Sequence, residues 1–186
     1  MNFSIHSRRG QTLVEALIAL SILTVGFVSI IGLLTKSFQL NRTTSNDTQA
    51  TYLAAEGVEV AKNIIDYDVY YGLSLRQGSS TQDRWGCSFG LSINVPTDYA
   101  LEYDTVPPAG CTARMSPLTS DKLYFDSDTD LYTSSSFGTQ PTNFTRDVWI
   151  TAVSNDELDV QSKVAWSDGL QSNTITVEDH FYNWNQ

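Results

Sequence analysis

Apolar residues run almost without interruption through the N-terminal part of the chain. Residues 16–34 read ALIALSILTVGFVSIIGLL and contain no charged side chain. A helix of these 19 residues rises about 28 Å at about 1.5 Å per residue, which is enough to cross the hydrocarbon core of a bilayer. The pattern therefore predicts a membrane-spanning helix.

The pattern becomes amphipathic over residues 35–66. Apolar and small residues recur there in steps of three, one and four, which places them along one stripe of a helix. The stripe consists of Ala50, Leu53, Ala54, Gly57, Val58, Ala61, Ile64 and Ile65. Polar residues such as Gln49, Glu56 and Glu59 take the other face. We predict one continuous helix, whose stripe in this second part packs on the core of a folded domain.

Short β-branched and aromatic runs follow residue 66, separated by Gly, Ser, Asp and Pro. They predict strands at residues 91–95, 100–103, 123–125, 148–153, 162–166 and 174–178, with a turn at 96–98 and the last two strands as a hairpin. One helix followed by a run of strands implies an α+β fold, in which an antiparallel sheet is covered on one face by the helix.

Charged residues border the apolar segment on its N-terminal side. Arg8, Arg9 and Gly10 run into the sequence QTLVE, which ends at Glu15. A carboxylate deep in lipid costs about 2.5 to 3.5 kcal/mol on insertion scales. A plain signal anchor explains the arginines and the apolar run, but it explains neither Glu15 nor the spacing of Glu15 from Gly10.

This arrangement resembles the N-terminus of type IV prepilins and pseudopilins. Gly10 matches the last leader residue, Gln11 the first mature residue and Glu15 the fifth. The resemblance implies that a membrane aspartyl peptidase cuts after Gly10 and methylates the new amine. It also implies that Glu15 pairs in the fibre with the N-terminal amine of a neighbouring subunit. Gln11 departs from the usual Phe, which favours a minor subunit, most like a PilV-type minor pilin.

The implied organisation is a leader at 1–10, a transmembrane and assembly helix at 11–34, its amphipathic continuation at 35–66 and an exported β-rich domain at 67–186. The implied function is structural and non-enzymatic: a minor pilin, held in the cytoplasmic membrane with its N-terminus in the cytoplasm and then assembled into a cell-surface pilus. The implied partners are prepilin peptidase, the membrane and other pilin subunits. A type II secretion pseudopilin and a signal-anchored extracellular binding or adhesion domain are the alternatives.

Charge argues against one class of partner. Nine Lys and Arg follow Gly10 against 21 Asp and Glu, so the mature chain has a formal charge of −12. The cations are spaced singly and form no basic patch, which argues against direct nucleic-acid binding through phosphate neutralisation.

Two cysteines lie in the predicted exported part, Cys87 and Cys111. An oxidising compartment favours a disulfide over two buried thiols, and the bridge closes a loop of about 25 residues worth around 3 to 3.5 kcal/mol. The pattern GCSFG at residues 86–90 matches a GxSxG motif, but a strand-like run follows where a nucleophile elbow needs a helix.

Alternating acids at Asp126, Asp128 and Asp130 are the one candidate for a bound cofactor, a calcium ion. Leu131 and Phe137 stand where a calcium loop has its Gly and its Glu, so a solvated turn is the favoured interpretation.

Overall fold

The computed structural model describes residues 11–74, 88–91, 93–107, 115, 121–167 and 171–183. Within these residues one long helix, α1 (Gln11–Ser74), precedes six strands. The strands are β1 (Thr97–Tyr99), β2 (Asp121–Asp126), β3 (Leu131–Thr133), β4 (Gln140–Ser154), β5 (Glu157–Ser167) and β6 (Ser172–Tyr182). The architecture is the predicted α+β type, with a long N-terminal helix and a C-terminal antiparallel sheet.

The chain divides into two compact units, Met1–Asn46 and Asp47–Gln186. Helix α1 runs through the boundary, so its apolar part belongs to the first unit and its amphipathic part to the second. The second unit also contains the whole sheet.

Strand β4 organises the sheet, whose order is β3-β2-β4-β5-β6. Along one edge β4 pairs with β5, and along the other it pairs first with β2 and then with β1. Strands β5 and β6 form the predicted hairpin and pair along their whole length, from Glu157 opposite Tyr182 to Ser167 opposite Ser172. The described strand pairs are all antiparallel.

The core lies between one face of the sheet and the stripe of α1. Residues 144–152 of β4 and 157–166 of β5 alternate between buried and half-buried, because successive side chains of a strand point to opposite faces. Their buried side chains face the helix. Every member of the predicted helical stripe is buried in the structure, which confirms that the stripe is a core face.

Gly57 permits a close approach of helix and sheet. A Cβ added at this position would lie 2.4 Å from Ser162 Oγ, and 3.1 Å from both Ser162 Cβ and Val148 Cγ2. Real Cβ atoms do not approach a neighbour as closely as 2.4 Å, so a residue without a Cβ is required here for the two elements to pack at this separation.

Several element limits differ from the prediction. Helix α1 continues to Ser74, beyond the predicted end at residue 66, and its stripe extends to the buried side chain of Asp68. The four strands predicted between residues 123 and 178 lie inside β2, β4, β5 and β6. The short strand β3 was not predicted, because its three residues are too few for a periodic pattern to show.

The strands predicted at 91–95 and 100–103 are wrong. The strand in this region is Thr97–Tyr99, where a turn was predicted. Asn94 has a φ of 59°, a left-handed conformation that ends any extended run, and its N–H donates to the Ala152 carbonyl at 2.7 Å. Pairing with the C-terminal half of β4 therefore decides which residues are extended, against the local turn signal.

The substitution Gly57→Ala tests the close approach. We expect it to lower the free energy of unfolding of the second unit by about 1–2 kcal/mol, because overpacking outweighs the gain in helix propensity. Urea unfolding of the full chain in detergent, followed by tryptophan fluorescence, measures the change. Gly32→Ala is the matched control, since a Cβ there meets nothing within 4 Å. Adding Ser162→Ala should recover part of the loss, and a Gly57→Ala protein as stable as the parent would refute the argument.

Candidate functional site

The apolar part of α1 exposes its large side chains all round. Every large apolar residue from Leu13 to Leu34 is at least half exposed, within a range of 52% to 72%. The most apolar 18-residue window of Thr12–Tyr70 is long and apolar enough to cross a membrane, and none of it is buried within the chain. A helix that is apolar on all sides requires lipid or other apolar helices around it.

Hydroxyl groups in this segment are satisfied by the helix itself. The side chains of Ser21, Ser29 and Thr35 donate to the carbonyls four residues earlier at 2.8, 2.8 and 3.0 Å. Thr24 donates to the Ser21 carbonyl at 2.9 Å. Such local bonds bring polar side chains into an apolar medium without leaving their donors unpaired.

Glu15 differs from these residues. It is the one ionisable side chain between residues 11 and 35, and it lies one turn inside α1, which begins at Gln11. Its side chain is exposed, and it has no hydrogen-bond or ion-pair partner among the described residues. The hydroxyls of Ser21, Thr24 and Ser29 are thus bonded within the helix, whereas the Glu15 carboxylate has no partner among the described residues.

Three residues of the predicted sites lie outside the described residues, as does the leader. They are Gly10, Cys87 and Cys111. The residue after Cys87 is described. Ser88 is fully buried, its N–H donates to Asp68 Oδ2 at 3.0 Å and its hydroxyl donates to Asp68 Oδ1 at 2.5 Å. The hydroxyl of the GxSxG pattern is thus held by a buried carboxylate at the end of α1.

Asp68 is a buried acid that sequence reasoning missed, although its spacing from Ile64 and Ile65 continues the helical stripe. Burial raises the pKa of Asp68 above its ordinary value, and the two bonds from Ser88 partly offset that rise. The Ser88 carbonyl accepts from the Met115 N–H at 2.7 Å. Asp68 therefore ties the last part of α1 to two segments that follow it.

The acids of the calcium candidate belong to the turn that joins β2 to β3. Asp126 Oδ1 accepts from the Asp128 N–H and Asp126 Oδ2 accepts from the Thr129 hydroxyl, each at 2.9 Å. The bond from Asp128, followed by that from Thr129, lowers the pKa of Asp126. Asp130 has a φ of 57°, as turn residues of this type tolerate. Among the described residues, the carboxylates of Asp126, Asp128 and Asp130 do not form a group of potential metal ligands, whereas Asp159, Glu178 and His180 do.

A buried cation, Arg146, is the second residue that sequence reasoning missed. Its side chain is 3% exposed, and its guanidinium donates to the Leu53 carbonyl at 3.1 Å and to the Leu101 carbonyl at 2.6 Å. Glu56 Oε2 lies 3.4 Å from Nη1 and balances the charge. The sequence contained a signal for this burial, because Arg146 stands two residues from Phe144 and two from Val148 and so shares the buried face of β4 with them.

Comparison with protein-family models finds the prokaryotic N-terminal methylation motif at residues 5–31. The chain carries a prepilin-type N-terminus. The match supports a type IV pilin or pseudopilin, and with it membrane association, processing by a prepilin peptidase and assembly with other pilins. It includes Gly10, Gln11 and Glu15, and it ends within the apolar segment. Comparison with curated proteins and with solved structures finds no match.

The substitution Asp68→Ala tests the hydrogen bonds that join Ser88 to α1. We expect a loss of about 1–3 kcal/mol in the free energy of unfolding at pH 7, because the N–H and hydroxyl of Ser88 are left buried without an acceptor. The raised pKa means that the folded state binds the Asp68 proton more tightly than the unfolded state does. The contribution of Asp68 to stability is therefore largest below the ordinary pKa of 3.8 and falls as pH rises through the raised value.

Urea unfolding of the parent and of Asp68→Ala at a series of pH values measures this difference. Asp66→Ala is the matched control, an exposed acid on the same turn of α1. A difference between parent and Asp68→Ala that grows as pH rises would contradict the assignment.

Proposed function

We propose that this chain is a minor subunit of a type IV pilus. In this proposal it is made as a precursor in the cytoplasmic membrane, cut after Gly10, methylated on the amine of Gln11 and assembled into the fibre through α1. The observation that carries the proposal is Glu15, the one ionisable side chain in the exposed and otherwise apolar first part of α1, placed five residues after Gly10 inside the matched motif.

The assembly step follows from the electrostatics of that carboxylate. In the membrane Glu15 lies near one end of the apolar segment, where a carboxylate reaches the polar interface. In a fibre whose core consists of packed apolar helices, the same carboxylate requires a cation. The free amine of Gln11 in a neighbouring copy supplies one. Breaking a buried pair costs about 3–5 kcal/mol, so only the register that pairs the two groups is stable.

Two features favour a minor pilin over a plain anchor. Gln11 as the first mature residue departs from the usual Phe and so favours a minor subunit, and the spacing from Gly10 to Glu15 has no role in a signal anchor. The same N-terminal chemistry serves a type II secretion pseudopilin, so the cell fraction in which the mature chain is found separates the two.

Intact mass and N-terminal sequencing of the protein test maturation. We expect the chain from membranes and from sheared surface fibres to begin at Gln11 and to carry one methyl group on its amine, and we expect the uncut precursor in cells that lack the prepilin peptidase. A mature chain confined to the envelope of a secreting cell would indicate a pseudopilus. A chain that begins at Met1 or Asn2 in both strains would refute the proposal in favour of a signal-anchored domain.

Glu15→Ala tests the assembly step in the same strains. We expect it to leave membrane insertion and cleavage unchanged and to reduce the amount of this subunit in sheared fibres at least tenfold, because the N-terminal amine of its neighbour loses its partner. Glu59→Ala is the matched control, since Glu59 is an exposed glutamate of α1 in the second unit whose one ion pair is with Lys62. Normal incorporation of Glu15→Ala would show that the carboxylate does not direct assembly.

We further propose that Cys87 and Cys111 form a disulfide in the exported domain. The bond from the Met115 N–H to the Ser88 carbonyl supports this, because it joins the residue after Cys87 to a residue four positions after Cys111. Alkylation of the unfolded protein should label no thiol before reduction and two thiols after it, as measured by intact mass. Labelling of two thiols without reduction would exclude the bridge.

A further inference from the structure

Three potential metal ligands lie together on the face of the sheet that points away from α1. Asp159 on β5 is directly opposite His180 on β6, and Glu178 is two residues from His180, hence on the same face. One ligand atom from each of Asp159, Glu178 and His180 lies within 4.8 Å of the others. All three are held by the paired backbones of two 11-residue strands, a more rigid support than a loop.

The histidine is oriented in the way that metal-binding histidines are. Its Nδ1 lies 3.0 Å from Glu157 Oε1, which also accepts from the Tyr182 hydroxyl at 3.1 Å. A carboxylate on one ring nitrogen fixes the ring and directs the other nitrogen toward a metal. That other nitrogen, Nε2, lies 3.3 Å from Glu178 Oε1. Two ligands of a tetrahedral ion with bonds of about 2.0–2.1 Å are separated by about 3.4 Å, so these two atoms already have the spacing of a ligand pair.

Within the described part of the chain, Asp159 has one carboxylate oxygen without a hydrogen-bond donor. Its Oδ2 accepts from Gln161 Nε2 at 3.1 Å, whereas its Oδ1 is buried and has no hydrogen-bond partner among the described residues. No Lys or Arg in the described part of the chain forms an ion pair with Asp159 or Glu178. Lys163, four residues along β5 from Asp159, lies over the ring of Trp149, 5.6 Å from its centroid. A buried acceptor without a donor, in a cluster of negative charge, is the environment that a bound cation satisfies.

We propose that Asp159, Glu178 and His180 Nε2 bind one divalent transition-metal ion, for which Zn²⁺ is the best match, with Glu157 and Tyr182 positioning the histidine. One imidazole and two carboxylates suit Zn²⁺, whereas Ca²⁺ requires six to eight oxygen ligands. The ion replaces the proton shared by Nε2 and Glu178, and water completes the shell on the exposed side. It joins the edge strand β6 to β5 and so stabilises the C-terminal hairpin. This site is independent of the N-terminal assembly chemistry.

Isothermal titration of the mature full chain in detergent with ZnCl₂ tests the proposal. The protein is purified without a polyhistidine tag, so that His180 is the one histidine present. We expect saturable binding of one ion per chain with a micromolar or lower Kd, and a Tm that rises with the concentration of Zn²⁺. Co²⁺ in place of Zn²⁺ should give visible d–d absorption bands typical of a nitrogen and oxygen ligand set, and CaCl₂ should give no saturable binding.

Variants distinguish this site from non-specific binding to an acidic surface. We expect His180→Ala and Asp159→Asn to weaken Zn²⁺ binding at least tenfold, and Glu157→Gln to weaken it about tenfold, as loss of a positioning carboxylate does. Asp179→Asn is the matched control, because it removes the same charge from β6 between Glu178 and His180 but on the opposite face. Absence of saturable binding in the parent, or equal affinity in Asp179→Asn and His180→Ala, would overturn the proposal and leave His180 as an imidazolium paired with two glutamates.

Discussion

Helix α1 and the sheet meet through small side chains, and the arrangement of the second unit depends on that short separation. Gly57 faces Ser162 where no Cβ would fit, and Ala50, Ala54 and Ala61 are completely buried beside it. At this separation the helix offers a backbone carbonyl to the guanidinium of a sheet residue. Arg146 uses the Leu53 carbonyl in this way, so the one buried cation of the described core is satisfied by the same contact that buries the apolar stripe. Near the C-terminal end of α1, the hydrogen bonds from Ser88 to Asp68 join the helix to the chain that follows it.

The same helix meets a different physical requirement before Asp47. There it has no stripe, because large apolar side chains are exposed on every side. The hydroxyls of Ser21, Ser29 and Thr35 are bonded to the backbone of the helix. Such a surface is stable in lipid or among similar helices and is unstable in water. Glu15 is the exception, because its carboxylate needs a polar interface or a cationic partner. One continuous element therefore combines a segment that depends on its surroundings with a segment that the chain itself covers, and the prepilin-type motif lies entirely in the former.

The two faces of the sheet differ in charge. Strand β5 buries one face completely against α1, while its other face carries half-buried polar residues next to the acids and the histidine of β6. Charged side chains on an edge strand oppose pairing with a further strand, which protects the open edge of β6 from aggregation. The cost is mutual repulsion. Burial raises the pKa of Asp159, and the nearby Glu178 raises it further. Burial alone would lower the pKa of His180, but Glu157, Asp159 and Glu178 together raise it. These carboxylates thus favour a cation between them.

The sequence by itself determined the elements whose patterns are long. The uncharged run predicted the apolar helix, the three-and-four spacing predicted the buried stripe, and alternation located β2, β4, β5 and β6. It also singled out Glu15, because one charge in an apolar run is visible without a structure. The tertiary structure alone decided the extent of β1, the partners of Arg146, the contact of Asp68 with Ser88 and the grouping of Asp159 with His180. A periodic pattern reports which face of an element is buried, since that depends on near neighbours in the chain. Which side chains meet across two elements depends on strand register and on the distance between helix and sheet, and those are set by packing between residues far apart in sequence.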